Sequence, residues 1–168
     1  MIKLPPAVLS AVVLLLSATS HAQEPAQPGA VDRYQHSSVP LNYPYQVYVP
    51  ANYREGVQWP LLVLVHGCGS NPETEMNANA MNPVADEGNF IVMYPGNQTG
   101  CWRAIHGDVT SQRRGLGGDA DAVAAMTQQT MARYSVDPER VYLIGMSSGG
   151  FQAGATAAAY PDLYAAVG

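Results

Sequence analysis

The chain of 168 residues is nearly without lysine: Lys3 stands alone, and seven arginines supply the remaining basic charge. Charged residues of both signs make up only 12%, roughly half the usual share. With 13 acidic groups against 8 basic ones, the formal charge is −5. No basic surface exists for nucleic-acid phosphates, which excludes that class of partner. The opposite extreme, a disordered charge-driven chain, is excluded by a hydrophobic content of 47%. Long apolar runs are also missing. Ala7 to Leu16 spans ten residues, too short for a hydrocarbon core of about 30 Å, so no stable membrane anchor is expected.

That short run has a different meaning in context. Lys3 precedes it, and Ser20-His21-Ala22 places small residues three and one positions before a cut after Ala22. This is the layout of a secretory signal peptide over residues 1–22, and it predicts export to the periplasm or the medium. Gln23 to Asp32 is expected to be a flexible, Pro-rich leader, and the rest, 33–168, a single folded unit. Cysteine is scarce as well, with only Cys68 and Cys101. In an oxidising compartment a bridge between them is favoured over two free thiols.

Strand and helix signals alternate along the mature chain. Tyr45–Val49 alternates apolar and polar residues, as a half-buried strand does. Leu61–Val65, Phe90–Tyr94 and Val141–Ile144 are unbroken apolar runs suited to strands buried on both faces. Helices are expected near Asn71–Glu75, over Asn79–Glu87, over Ala120–Tyr134 and over Ser148–Tyr160. Asp119 reads as the N-cap of the third helix, and capping also accounts for Asp121. The order implies an α/β fold with a doubly wound, mostly parallel sheet.

The chemistry concentrates at Gly145-Met146-Ser147-Ser148-Gly149-Gly150, where a buried strand runs into a helix. A G-x-S-x-G pattern in that context is a nucleophile elbow, which raises the serine above the sheet. Only Ser147 fits the register. Its oxyanion would need two backbone N–H donors: Ser148, which follows it, and a residue in the loop after an earlier strand. His66-Gly67-Cys68-Gly69 directly follows LLVLV, and Cys68 is the natural second donor.

HGCG, Tyr94-Pro95, Gly100-Cys101-Trp102, the VDPERVY segment, GMSSGG and Tyr160-Pro161-Asp162 occur in that order. Together they resemble the polyhydroxybutyrate-depolymerase family of secreted α/β-hydrolase esterases, which also includes feruloyl and acetylxylan esterases. The resemblance implies Ser147 as nucleophile, the Cys68 and Ser148 N–H groups as oxyanion hole, and a Cys68–Cys101 disulfide. It implies no cofactor and a neutral ester as substrate, polymeric ones included. Trp102 beside the bridge would either line the substrate groove or pack over the disulfide.

A serine nucleophile needs a histidine base and an orienting acid, which follow it in α/β-hydrolases. After Ser147 the chain has Asp162 and no histidine. Asp162 ends the elbow helix and suits a local turn. His36, His66 and His106 all lie upstream, and none has metal-ligand spacing with a carboxylate or thiolate, so no metal site is expected. The chain therefore reads as the N-terminal part of a longer hydrolase, cut after the elbow helix, with the triad Asp and His outside it. Without a further strand the Val141 strand would be an unpaired apolar edge. A serine peptidase on the same fold, or a non-catalytic binding protein with this architecture, would share most of these features.

Overall fold

The computed structural model describes residues 29–38 and 41–168. The signal peptide and most of the expected leader lie outside the described residues. Six strands form one sheet: β1 (Val31–Ser38), β2 (Leu41–Tyr48), β3 (Trp59–Val65), β4 (Ile91–Pro95), β5 (Val136–Gly145) and β6 (Ala166–Val167). Four helices join them: α1 (Pro72–Ala78), α2 (Met81–Gly88), α3 (Asp119–Arg133) and α4 (Ser148–Ala159). The strand order is β1-β2-β4-β3-β5-β6. β4, β3, β5 and β6 are parallel, while β1 and β2 form an antiparallel pair on one edge.

The unbroken apolar runs form the centre of this sheet because each must satisfy two faces. Leu61, Val63, Val65, Ile91, Met93 and Leu143 point into a core with α3 and α4 residues such as Val123, Met126 and Ala153. Alternate residues Leu64, Val92 and Tyr94 point the other way, into a smaller core with Met76 of α1 and Ala85 of α2. Helices on both faces make the sheet doubly wound.

Two expectations need correction. The leader stops short of Asp32, since Val31 and Asp32 belong to β1. An edge strand needs little apolar surface, and β1 (VDRYQHSS) carries no apolar run to announce it. Asp119 does not cap α3; Gly118 holds that position without a side-chain cap bond. A further strand, β6, does lie beside β5. Ala165 N–H donates to Val141 O, Gly168 N–H to Leu143 O, and Gly145 N–H to Gly168 O, so β6 and its neighbours cover it.

Candidate active site

Ser147 lies between β5 and α4 with φ 53° and ψ −121°. Among the described residues only Ala80 and Asn89 share a positive φ without being glycine. A bulky residue in so sparse a region is strained, and the surroundings must hold it there. Glycines make that possible. A Cβ on Gly149 would stand 2.1 Å from Val65 O and 2.5 Å from His66 O, while one on Gly145 would stand 2.2 Å from Gly149 O. Both absences let α4 begin directly against β3 and β5. Ser147 is exposed, and Met146 beside it is 63% exposed.

The loop after β3 meets this turn. A Cβ built on Gly67 would lie 3.4 Å from Met146 O and 3.5 Å from the Ser147 Cβ, so Gly67 packs directly on the elbow. Met146 N–H donates to Val65 O at 3.2 Å, fastening the two strand ends together. Gly149 N–H donates to Met146 O, Gly150 N–H to Ser147 O, and Gly69 N–H to Gly100 O. Among the described residues, no backbone hydrogen bond in these turns uses the N–H of Cys68 or Ser148. Two uncommitted donors beside an exposed serine hydroxyl are what a developing oxyanion requires.

A segment from Gly100 to Arg103 clamps the loop from outside. Cys101 is joined to Cys68, with Cα atoms 4.3 Å apart. The Trp102 Nε1–H donates to His66 O at 3.0 Å. Arg103 donates from its backbone N–H to Asp119 Oδ2 at 2.8 Å, and from its guanidinium to Oδ1 at 2.9 Å and 3.2 Å. Asp119 is 2% exposed and also accepts from the Tyr43 hydroxyl at 2.9 Å. Burial, then the Asp119 charge, pushes the Tyr43 phenol well above its ordinary pKa, so it stays a neutral donor. The sequence carried no sign of this Tyr43–Arg103–Asp119 tie, because its partners lie in three separate elements.

Trp102 is fully buried, its ring centroid 5.3 Å from that of His66. It therefore does not line an open groove, and of the two roles expected for it the packing role is the one its position allows. His66 is fully buried too, with Nδ1 2.7 Å from Gly67 O. Burial pushes its pKa down, against the raising influences of Gly67 O and of the Glu75 charge. A neutral ring donating from Nδ1 to Gly67 O shapes the loop, and no hydrogen bond joins it to Ser147. His106 is exposed in a 3₁₀ turn, and His36 stands on β1 against Gln129. Asp162 is exposed and pairs with Arg114 at 2.6 Å and 3.1 Å. None of these supplies a base or acid to Ser147. Among the described residues no group of three or more His, Cys, Asp or Glu could hold a metal ion. No helix there is long and apolar enough to cross a membrane.

Known proteins are similar to this chain. Feruloyl esterase B of Neurospora crassa is 35% identical over 131 residues, covering 77% of this chain and 44% of that protein. Poly(3-hydroxyalkanoate) depolymerase C of Paucimonas lemoignei is 35% identical over 112 residues, covering 63% and 26%. Among solved structures, the acetyl xylan esterase from Aspergillus awamori superposes with a TM-score of 0.72 at 26% identity, over 83% of this chain and 50% of that one. The chain thus spans about half the length, or less, of the relatives it matches. The family model described as esterase PHB depolymerase matches residues 43–168, three quarters of the chain, and the chain belongs to that family of α/β-hydrolases.

Proposed function

We propose that this chain carries the nucleophile and oxyanion donors of an exported serine esterase. The observation that supports it most is the backbone of Ser147: an exposed serine held at positive φ where a buried strand meets a helix. In the reaction, Ser147 Oγ attacks the ester carbonyl carbon and its proton passes to a histidine base. The carbonyl oxygen, now an oxyanion, accepts from the N–H groups of Cys68 and Ser148. Collapse of the tetrahedral species expels the alcohol, which takes the proton, and leaves an acyl-Ser147. Water, deprotonated by the same base, then attacks the acyl carbon and releases the acid.

The base and its orienting carboxylate are not assigned to any residue described above. His66 Nδ1 is engaged with Gly67 O, its Nε2 is buried without a partner and makes no hydrogen bond to Ser147, and Asp162 is paired with Arg114. Substrates on this reading are neutral carboxylic esters: a poly(3-hydroxyalkanoate), or acyl groups carried on plant polysaccharide.

The test uses the whole protein secreted with its natural signal. A fluorophosphonate probe is expected to label Ser147, and p-nitrophenyl acetate to be turned over. Ser147→Ala should abolish both. Hydrolysis undiminished by that substitution would overturn the assignment. A protein that binds esters but neither reacts with the probe nor hydrolyses them would be the binding module instead.

A further inference from the structure

The sulfur and indole side chains of this fold are nearly all withdrawn from solvent oxidants. Cys68 and Cys101 are already joined in a disulfide. Trp59 and Trp102 are buried, and so are Met76, Met93 and Met126. Met81 and Met131 are partly buried against the two cores. Among the described residues Met146 is the exception, a methionine left 63% exposed beside the nucleophile. Exposure governs which methionines a peroxide reaches first.

This side chain also lies at the reacting end. Its Cε stands 3.7 Å from the point that a Cβ on Gly67 would occupy, and the Ser147 Cβ stands 3.5 Å from the same point. The Met146 methyl and the nucleophile thus flank one glycine. Cys68 follows Gly67 and Ser148 follows Ser147, so each of the two uncommitted N–H groups is one peptide away from this contact. A thioether is only a weak acceptor, and it leaves such donors free. A sulfoxide in its place is polar, with an oxygen that accepts readily.

We propose that Met146 is an oxidation site through which a hydroperoxide switches the oxyanion hole off. The Met146 sulfur lone pair attacks the terminal peroxide oxygen, and the O–O bond breaks. The proton on the attacked oxygen passes to the departing one, which leaves as water or an alcohol. Sulfur is oxidised to the sulfoxide and the peroxide is reduced. The new oxygen then accepts from the N–H of Cys68 or Ser148, one of the two donors that the tetrahedral oxyanion needs. The loss of turnover rests on the esterase reading; the oxidation and the new hydrogen bond do not.

The test exposes the whole protein to dilute hydrogen peroxide. Peptide mass spectrometry should find one added oxygen on Met146 before any other methionine gains one. As it is added, kcat for p-nitrophenyl acetate should fall roughly a hundredfold with KM little changed, as the loss of an oxyanion donor requires. Amide hydrogen exchange should slow at Cys68 or Ser148, whereas mere damage to the fold would speed it. Met146→Leu, a volume-conserving exchange, should keep its own untreated rate after peroxide. Met146→Gln carries a side-chain carbonyl acceptor of similar reach and should be slow before any treatment, which keeps the proposal open to test if Met146→Leu fails to fold.

The proposal is overturned if another methionine is oxidised first, or if exchange at both amides is unchanged once Met146 is oxidised. It also fails if Met146→Leu loses turnover to peroxide as the unsubstituted protein does, or if Met146→Gln turns over at the full rate. The esterase reading is judged apart, on untreated protein, by Ser147-dependent turnover. Absence of that turnover removes the esterase, and the mass and exchange measurements still decide the oxidation site.

Discussion

The loop after β3 and the turn after β5 meet at one end of the sheet, yet they are held in opposite ways. The β5 turn is fixed by close backbone packing: glycines at 145 and 149 admit contacts, within the turn and against the end of β3, that no side chain would allow. The β3 loop is fixed from far away in the chain, by Cys101, by the Trp102 indole and by the Arg103–Asp119 pair. On the proposed reading, a nucleophile set by close backbone packing needs no side-chain tie to hold it. On the same reading, an oxyanion donor placed by distant ties is only as well positioned as those ties are intact.

The comparison breaks most sharply at Gly149. A Cβ 2.1 Å from Val65 O meets backbone on a central strand, which has nowhere to move. Gly149→Ala is expected to cost at least about 4 kcal/mol, in the rare severe class of single substitutions. Chemical denaturation of the variant would read it, and a loss below about 1 kcal/mol would mean that the turn is far softer than its contacts imply.

Next in size is the β3 loop's covalent tie. A bridge across 33 residues of sequence restrains the unfolded chain by about 3–4 kcal/mol in the chain-entropy model. Cys101→Ser should lower stability by about that amount and leave Ser147 reactive toward a small fluorophosphonate. Ester turnover should fall further than probe labelling, because only the donor loop has been loosened. Equal losses in the two would show that the loop and the turn are not separately held.

This contrast also explains how much was legible in the sequence. The elbow could be read because its causes are contiguous: strand, Gly145, Ser147, Gly149, helix. The central strands could be read because burial on both faces forces unbroken apolar runs. β1 could not, since an edge strand obeys no such demand and VDRYQHSS has the composition of a loop. The clamp was half visible. The cysteines pointed to a bridge, but Asp119 reads as a cap in any local window, and its partners Tyr43 and Arg103 lie 76 and 16 residues away. Trp102 shows the same limit: adjacency to Cys101 fixes its neighbourhood but not which side of the loop it occupies.

The smallest expected effect concerns a side chain that ties the segment before α3 to the end of the elbow helix. Asp121 on α3 accepts from the Gly115 and Gly117 N–H groups, which hold the loop before the helix, and from the Tyr160 hydroxyl at the end of the elbow helix. Burial alone would raise its pKa, but the Tyr160 and glycine hydrogen bonds outweigh it and hold the carboxyl below the ordinary aspartate value. A depressed folded-state pKa means that the ionised form is the stabilising one. Its contribution is complete above the unfolded value of about 4 and fades as pH falls through the lower folded value. Because the carboxylate is only half-buried, solvent screening keeps the contribution below about 1 kcal/mol. Asp121→Asn should therefore lower the melting temperature slightly at pH 7, and the gap from the unsubstituted protein should close as the pH is taken below 4. A gap that stays constant down to acid pH would assign Asp121 a role through shape alone. The segment before α3 and the end of α4 would then be joined by packing and not by this charge.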